Sequence, residues 1–214
     1  MSPNGMPDLV LERECDGVVC GIDEAGRGPL AGPVVAAAVI IDAARMPRGL
    51  RKQIDDSKKL LREEREDYAA RLWSCARIGI GAASAGEIDR INILQASLLA
   101  MRRALDALPA VPHWALVDGN VTAPLPCRTR TVVGGDGLSL SIAAASIIAK
   151  VTRDRLMRAL ARRYPGYGWA TNVGYATAEH RAGLLALGPT RHHRMSFAPL
   201  QLSLEFDSNP KEFD

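Results

Sequence analysis

The segment from Gly21 to Pro33 constrains the fold of this chain most, because in it an apolar strand runs into two carboxylates and a glycine-rich loop. The residues before the carboxylates, 18–20, and those after the loop, 34–41, are apolar and rich in β-branched side chains. Such a composition is typical of strands that are buried on both faces. The segment therefore predicts two buried strands joined by a loop with unusual backbone freedom.

The two carboxylates and the adjoining loop indicate a site for a metal ion and a phosphate. Neighbouring side chains of a strand point to opposite faces, so Asp23 and Glu24 serve one site only if the strand breaks there. Gly26 and Gly28 permit the backbone conformations that such a break needs, and Arg27 adds a forked donor suited to phosphate. The alternative is a strand end with a solvated acidic turn.

The composition is that of a globular protein with one main domain. The chain has 214 residues, of which 47% are hydrophobic and 24% charged, which is enough for one sizeable core. No apolar run approaches the roughly 20 residues of a membrane span, and the first residues lack a secretory signal. We therefore expect a cytoplasmic protein with no membrane partner. The four cysteines are scattered, so neither a zinc site nor a disulfide framework is expected.

Strand and helix patterns alternate along the rest of the chain, which predicts a mixed α/β domain with a short helical C-terminal portion. A helix start is indicated at residues 55–57. The other predicted elements are strands at 78–85, 114–117 and 129–133 and helices at about 92–108, 138–163 and 177–187.

Carboxylates follow three of the predicted strands, each beside a glycine. Asp23 and Glu24 follow the first strand, and Asp118 and Asp136 follow two later ones. If these strands are neighbours with aligned ends, the four carboxylates meet at one edge of the sheet, where open α/β sheets bind ligands. All-oxygen ligands favour Mg²⁺ or Mn²⁺. Two such ions about 4 Å apart can activate water and stabilise the leaving oxygen of a phosphodiester.

Cations are concentrated between residues 150 and 194, where nine Lys and Arg residues outnumber two carboxylates. The net charge of +3 does not by itself indicate a nucleic-acid partner, but this local excess would attract a phosphate backbone. The alternative is a solvated basic helix face. Lys150 and Arg153 face either nucleic acid or solvent, and residues 192–194 are candidates for positioning a phosphate.

Four polar residues of the long predicted helix have simpler expected roles. Ser139 and Ser141 are expected to cap its N-terminus, although free N–H groups there also suit phosphate. Ser146 lies on a face of small residues and is expected to pack. Asp154 is expected to pair with a nearby arginine rather than to bind metal.

Several long motifs follow one another along roughly residues 18 to 200. They are GIDEAGRGPLAGP at 21–33, DSKKL at 56–60, VDGN at 117–120, GD at 135–136, SLSIAAASIIAKVTRD at 139–154, GY at 174–175, GPT at 188–190 and HRMSF at 193–197. In sequence and order they resemble the motifs of the bacterial type 2 ribonuclease H (ribonuclease HII) family. One departure is Gly134, which stands where the family usually has lysine.

This resemblance implies an α/β ribonuclease H-like fold, with a mixed central sheet flanked by helices and a small helical C-terminal portion. It implies a catalytic domain at 18–200, an N-terminal extension at 1–17 and a C-terminal tail at 201–214, in a monomer. The implied activity, in DNA repair or primer removal, is hydrolysis of the RNA strand of RNA–DNA hybrids. It includes incision 5′ of single ribonucleotides in duplex DNA, leaves a 5′-phosphomonoester and uses two Mg²⁺ or Mn²⁺ ions.

The resemblance also assigns roles to individual residues. The family's four metal-binding, catalytic carboxylates carry over to Asp23, Glu24, Asp118 and Asp136. Its loop that contacts the ribose 2′-hydroxyl and the adjoining phosphate carries over to Gly26, Arg27 and Gly28, and its sugar-contacting tyrosine to Tyr175. The 2′-hydroxyl is the group that distinguishes RNA from DNA, so close backbone contacts to it suit this role.

The C-terminal tail contains a separate short motif. Its residues Gln201, Leu202, Leu204 and Phe206 are similar to the Q-L-x-L-x-F peptides with which bacterial repair and replication proteins bind the DNA sliding clamp. Such a peptide places apolar anchors in a hydrophobic pocket. The alternative is a terminal stretch that folds back onto its own domain.

Two other functions fit the same carboxylates. One is a different ribonuclease-H-like nuclease, such as a junction resolvase, which would not need to recognise the 2′-hydroxyl. The other is a nucleic-acid binding module in which the acidic cluster is structural. Metal-dependent cutting assays separate the three functions. Cutting of a ribonucleotide-containing duplex supports the ribonuclease, cutting of a DNA junction supports the resolvase, and binding without cutting supports the binding module.

Overall fold

One five-stranded sheet organises the computed structural model, which describes residues 6–54, 60–198 and 200. Its strands are β1 (Val19–Ala25), β2 (Val34–Ile41), β3 (Ala76–Ala83), β4 (Trp114–Asp118) and β5 (Arg128–Val132), in the spatial order β3-β2-β1-β4-β5. The pairs β1–β2 and β2–β3 are antiparallel, whereas β1–β4 and β4–β5 are parallel. This is the mixed central sheet that the family resemblance implies.

Helices cover both faces of the sheet. They are α1 (Val10–Arg13), α2 (Arg48–Arg51), α3 (Arg62–Cys75), α4 (Ala85–Asp106), α5 (Leu140–Arg163), α6 (Trp169–Asn172) and α7 (Ala178–Leu187), with a 3₁₀ turn at Gly135–Gly137. The last two form the predicted helical C-terminal portion. In the part of the chain that the structure describes, no helix combines the length and apolar character of a membrane span.

The alternation of side chains along β2 produces two apolar cores. Ala37 and Val39 pack with α3 and α5 on one face, whereas Ala36 and Ala38 pack with α4 on the other. Seven of the eight residues of β2 are buried. This burial explains why the sequence shows a continuous apolar run here rather than an alternating one.

Glycines in the strands let the two long helices approach the sheet closely. A Cβ on Gly21 would lie 2.1 Å from the backbone carbon of Ser141, at the start of α5. Cβ atoms on Gly79 and Gly81 would lie 2.1 and 2.2 Å from backbone oxygens of α4. The absence of side chains at these positions therefore sets the distance between the layers.

The structure shifts several predicted element boundaries. The strand predicted at 78–85 lies two residues earlier, and the helix predicted from 92 already begins at Ala85 after the N-cap Ser84. Asn92 has a φ of 65° and interrupts this helix, and its side chain accepts a hydrogen bond from the backbone N–H of Gln95. It is thus the start of a second helical segment. The helix start indicated at 55–57 lies outside the described residues.

The N-terminal residues contact the start of α5 and the β4–β5 edge. One oxygen of Glu12 accepts hydrogen bonds from the hydroxyls of Ser139 and Ser141 and from the backbone N–H of Ser141. Ser139 also caps α5 through the N–H of Ile142, as expected. Asp16 accepts a hydrogen bond from the Trp114 indole. The Glu12 carboxylate therefore occupies the N-terminus of α5, where the sequence also suits a phosphate.

The contact between β1 and α5 gives a stability prediction. We expect Gly21→Ala to lower the free energy of unfolding by roughly 1–3 kcal/mol, because its Cβ would meet backbone that has to shift. Gly86→Ala is the matched control, since nothing lies within 4 Å of its Cβ and alanine favours a helix by up to about 1 kcal/mol. Urea unfolding of the two variants checks this. Equal free energies of unfolding for the two variants would show that the close approach of α5 to Gly21 does not limit stability.

Candidate active site

A cavity of about 360 Å³ opens at the end of β1 where the glycine-rich loop begins. Three carboxylates, the loop and one face of α5 surround it. Its lining residues are Asp23, Glu24, Ala25, Gly26, Arg27, Gly28, Asp118, Ser146, Lys150, Arg153 and Tyr175. The structure therefore brings together seven of the eight residues predicted for the metal and substrate sites.

The expectation that β1 breaks at the acidic pair is wrong. The strand continues to Ala25, and Asp23 and Glu24 pair in regular register with Ala37 and Ala36 of β2. Their side chains therefore leave opposite faces of the sheet. Both still line the cavity because it lies at the end of the strand. The backbone turns after the strand ends, at Gly26, whose φ is 96°.

The parallel pairing of β1 with β4 places Asp23 beside Asp118. Ile22 is opposite Val117 in the register, and both side chains belong to the core under α4. The next residue of each strand is an aspartate, so both aspartates point toward the α5 face. Asp23 is only 6% exposed.

Asp136 is the one predicted carboxylate that does not line the cavity. It is buried in the 3₁₀ turn and does not line the cavity, although the neighbouring Gly135 N–H donates to Asp118 Oδ1 at 2.7 Å. Within residues 6–54, 60–198 and 200, no three acidic, histidine or cysteine side chains are arranged closely enough to enclose an ion. The structure thus brings three carboxylates to the cavity and ties the turn that carries the fourth to Asp118 through the Gly135 N–H.

Burial and mutual repulsion dominate the electrostatics of the cavity. Burial, and then the charges of Glu24 and Asp118, raise the pKa of Asp23 well above its usual value. Burial also raises the pKa of Glu24, against the opposing effect of Arg27, which lies 3.3 Å away. A divalent cation would relieve this repulsion, and oxygen ligands are those that Mg²⁺ and Mn²⁺ prefer. The residues present therefore fit a hard divalent ion.

Two buried arginines hold the backbone beside the cavity. Arg153 donates to the carbonyls of Ala31, Pro33 and Val173. Arg194 donates to carbonyls of the glycine-rich loop. Both are at most 1% exposed, so the expectation that Arg194 positions a phosphate directly is wrong.

Tyr175 stands at the mouth of the cavity with its backbone fixed from behind. Its ring lies 3.8 Å from where a Cβ of Gly28 would be, and about half of the residue is exposed. Since His180 Nε2 accepts from the Trp169 indole, its Nδ1–H donates to the Tyr175 carbonyl at 2.9 Å. His193 donates to the same Nε2, and burial lowers its pKa to about 4. His193 is therefore a neutral internal residue rather than a phosphate ligand.

The profile of the ribonuclease HII family matches residues 20–200. The chain belongs to the ribonuclease HII family. It is 63% identical over 195 residues to ribonuclease HII of Paramagnetospirillum magneticum, covering 91% of this chain and 97% of the relative. The fold is similar to that of ribonuclease H2 from Pyrococcus horikoshii OT3, with a TM-score of 0.74 and 27% identity over 90% of this chain and all of that one. It is also similar to the RNase HII in a PCNA–RNase HII complex from Archaeoglobus fulgidus, with a TM-score of 0.71 and 27% identity over 84% and 95% of the two chains.

Membership of the ribonuclease HII family decides between the functions that the sequence left open. The chain is a metal-dependent endoribonuclease of the ribonuclease H type that acts on RNA–DNA hybrids. The ribonuclease H-like fold is confirmed as well. A non-catalytic binding module and a junction resolvase no longer fit.

Sequence reasoning missed one residue of α5 that lines the cavity and left the orientation of a second one open. Ser146, expected to pack, lines the cavity, and its hydroxyl donates to Asp23. Lys150 also lines the cavity and pairs with Asp154 at 3.0 Å, so the partner of Asp154 is a lysine and not an arginine. With Arg153 these residues recur at intervals of four and three, which places them on one face of a helix. That spacing was the available signal.

Gly134, where the resemblance leads one to expect lysine, has a conformational role. Gly134 precedes the turn that carries Asp136 and has a φ of 65°, in the left-handed region. A Cβ there would meet nothing within 4 Å. The space therefore accepts a longer side chain, and glycine removes the backbone strain of that position.

Repulsion among the carboxylates predicts how Asp23→Asn affects stability. Because the folded-state pKa of Asp23 is raised, the stability that its protonated form contributes is present at acidic pH and lost as pH rises through that pKa. In EDTA at pH 8 we therefore expect Asp23→Asn to unfold at a higher temperature than the wild type. The difference should shrink toward pH 4. Thermal melts across this range check it, and a variant less stable than wild type at pH 8 would contradict it.

Proposed function

We propose that this ribonuclease HII also incises duplex DNA on the 5′ side of a single embedded ribonucleotide. The observation that carries the proposal is that the glycine-rich loop and Tyr175 share one cavity with three carboxylates. Groups suited to reading a ribose thus lie beside groups suited to phosphodiester hydrolysis. An enzyme for long hybrids alone would not require so confined a contact to one sugar.

We further propose that Asp23, Glu24, Asp118 and Asp136 hold two Mg²⁺ or Mn²⁺ ions. The all-oxygen donor set and the raised pKa of Asp23 support this. Ions held by these carboxylates would favour attack of a water on the phosphorus and departure of the 3′-oxygen, and breaking the P–O3′ bond would leave a 5′-phosphate on the product.

Residues around the carboxylates orient them and the substrate. The Ser146 hydroxyl and the Gly135 N–H donate to Asp23 and Asp118, which fixes the direction of their oxygens. Arg27 is about half exposed and reaches solvent at the mouth of the cavity, where it can contact a phosphate of the duplex. Tyr175 offers a ring face and a hydroxyl to the sugar.

Three substrates test this function: duplex DNA with one ribonucleotide, all-DNA duplex and an RNA–DNA hybrid, each with Mg²⁺, Mn²⁺ or EDTA. We expect metal-dependent cleavage of the hybrid and a single cut 5′ of the embedded ribonucleotide, with the all-DNA duplex intact. Cleavage of the hybrid without the single-ribonucleotide cut would contradict the proposal. A DNA junction serves as a further negative substrate.

Neutral variants test the proposed metal ligands. We expect Asp23→Asn and Asp136→Asn to abolish turnover, since each removes an anionic ligand without changing side-chain size. Asp106→Asn is the matched control, because Asp106 forms an exposed ion pair with Arg102 far along α4. Circular dichroism spectra should show that all three variants fold. Retained activity of either site variant would remove that residue from the ligand set.

We also propose that the tail binds the DNA sliding clamp through Gln201, Leu202, Leu204 and Phe206, which lie outside the described residues. The short motif supports this, and so does the complex of the Archaeoglobus fulgidus relative with the clamp PCNA. Apolar anchors in such peptides contribute much of the binding energy.

Deletion of the motif tests clamp binding separately from catalysis. Removing residues 201–214 should weaken binding to the bacterial clamp by more than about tenfold, because the apolar anchors are lost. Cleavage of a free oligonucleotide duplex should not change. A chain that ends after Phe206 is the control and should bind as the full chain does. Unchanged affinity for the clamp after removal of residues 201–214 would refute the proposal that the motif binds it.

A further inference from the structure

Arg194 reaches the glycine-rich loop from the far end of the chain. Its guanidinium donates to the carbonyls of Gly26, Arg27 and Gly32, the last two at 2.8 and 3.0 Å. Its own backbone N–H donates to the carbonyl of Leu30 at 2.8 Å. The residue is fully buried. One side chain therefore fixes both ends of the loop.

These contacts determine where the loop's N–H groups point. In a planar trans peptide the C=O and N–H bonds point in opposite directions, and the described residues contain no cis peptide. The carbonyls of Gly26 and Arg27 point inward to Arg194, so the N–H groups of Arg27 and Gly28 point outward. Both residues line the cavity. Among the described residues, no group accepts a hydrogen bond from either N–H.

The guanidinium itself is held in a fixed position. Asp89 of α4 accepts hydrogen bonds from the backbone N–H groups of Met195 and Ser196 at 3.0 and 2.9 Å, directly after Arg194. Arg153 packs so closely on the loop that a Cβ on Gly26 would lie 1.9 Å from its Nε. Burying a guanidinium is costly unless its N–H groups find acceptors, and the three loop carbonyls supply them.

We infer that Arg194 is a positioning residue for ribose specificity, which presents the Arg27 and Gly28 N–H groups to the 2′-hydroxyl of the substrate. This inference rests on the proposed ribonucleotide recognition. Arg194 does not touch the substrate. A planar fork reaches adjacent carbonyls at once, which the compact ammonium of lysine does not reproduce.

The test is the discrimination ratio, defined as the Kd for an all-DNA duplex divided by the Kd for the same duplex with one ribonucleotide. It is measured with Ca²⁺ in place of Mg²⁺ to limit turnover. We expect Arg194→Lys to lower the ratio by about tenfold, the equivalent of one or two hydrogen bonds. Its Kd for the all-DNA duplex should stay within about twofold, since exposed cations supply phosphate contacts.

Leu72→Ala controls for lost stability, because Leu72 is buried in the core under α3, away from the loop. It should lower Tm without changing the ratio. A ratio for Arg194→Lys equal to that of wild type, with only Tm reduced, would overturn the inference while leaving the proposed function intact. A wild-type ratio near one would overturn the inference, whereas loss of the single cut in the cleavage assay would overturn the proposed function.

Amide hydrogen exchange of the wild type gives a second test if Arg194→Lys does not fold. The amides of Arg27 and Gly28 should exchange rapidly in the free protein. The ribonucleotide-containing duplex should protect them, and the all-DNA duplex should not. Slow exchange in the free protein, or equal protection by both duplexes, would overturn the inference.

Discussion

The site depends on the parallel register that sets Asp23 beside Asp118. Two carboxylates on one face of a sheet, one of them buried, repel each other and lose hydration, so they would separate if their backbones were free to move. The strands prevent this because Ile22 and Val117, the preceding residues, are anchored in the core under α4. Apolar burial on one face thus stabilises an unfavourable arrangement of charges on the other.

The glycine-rich loop is held by a different kind of interaction. Its backbone has few side chains with which to pack, so its shape is fixed by donors from elsewhere in the chain. Arg153 of α5 and Arg194 of the C-terminal segment supply them, and each donates to three carbonyls. The helical C-terminal portion is therefore part of the cavity's architecture rather than an appendage, because without it the loop has no second anchor.

The sequence predicted the strands of the sheet better than it predicted the side chains that hold the loop and the carboxylates in place. The strand at Val34–Ile41 is as predicted, because a run of apolar residues between glycine and polar residues has clear ends. The interruption at Asn92 was not foreseen, since the apolar periodicity continues on both sides of it. The role of Ser146 was also missed, because a serine among alanines shows no sign of the carboxylate opposite it. Motifs indicated which loop and carboxylates matter, whereas only tertiary contacts show what holds them.

The buried arginines also change how the charge pattern should be interpreted. The excess of cations between residues 150 and 194 predicts a basic surface, but Arg153 and Arg194 are internal and Lys150 pairs with Asp154. Attraction for the phosphate backbone must therefore come from the exposed cations of this segment, such as Arg162, Arg163 and Arg191. A buried arginine and a surface arginine look the same in sequence, yet the first organises backbone carbonyls whereas the second leaves its charge exposed to solvent. The dense basic segment of this ribonuclease HII thus serves the construction of the site as much as its attraction for nucleic acid.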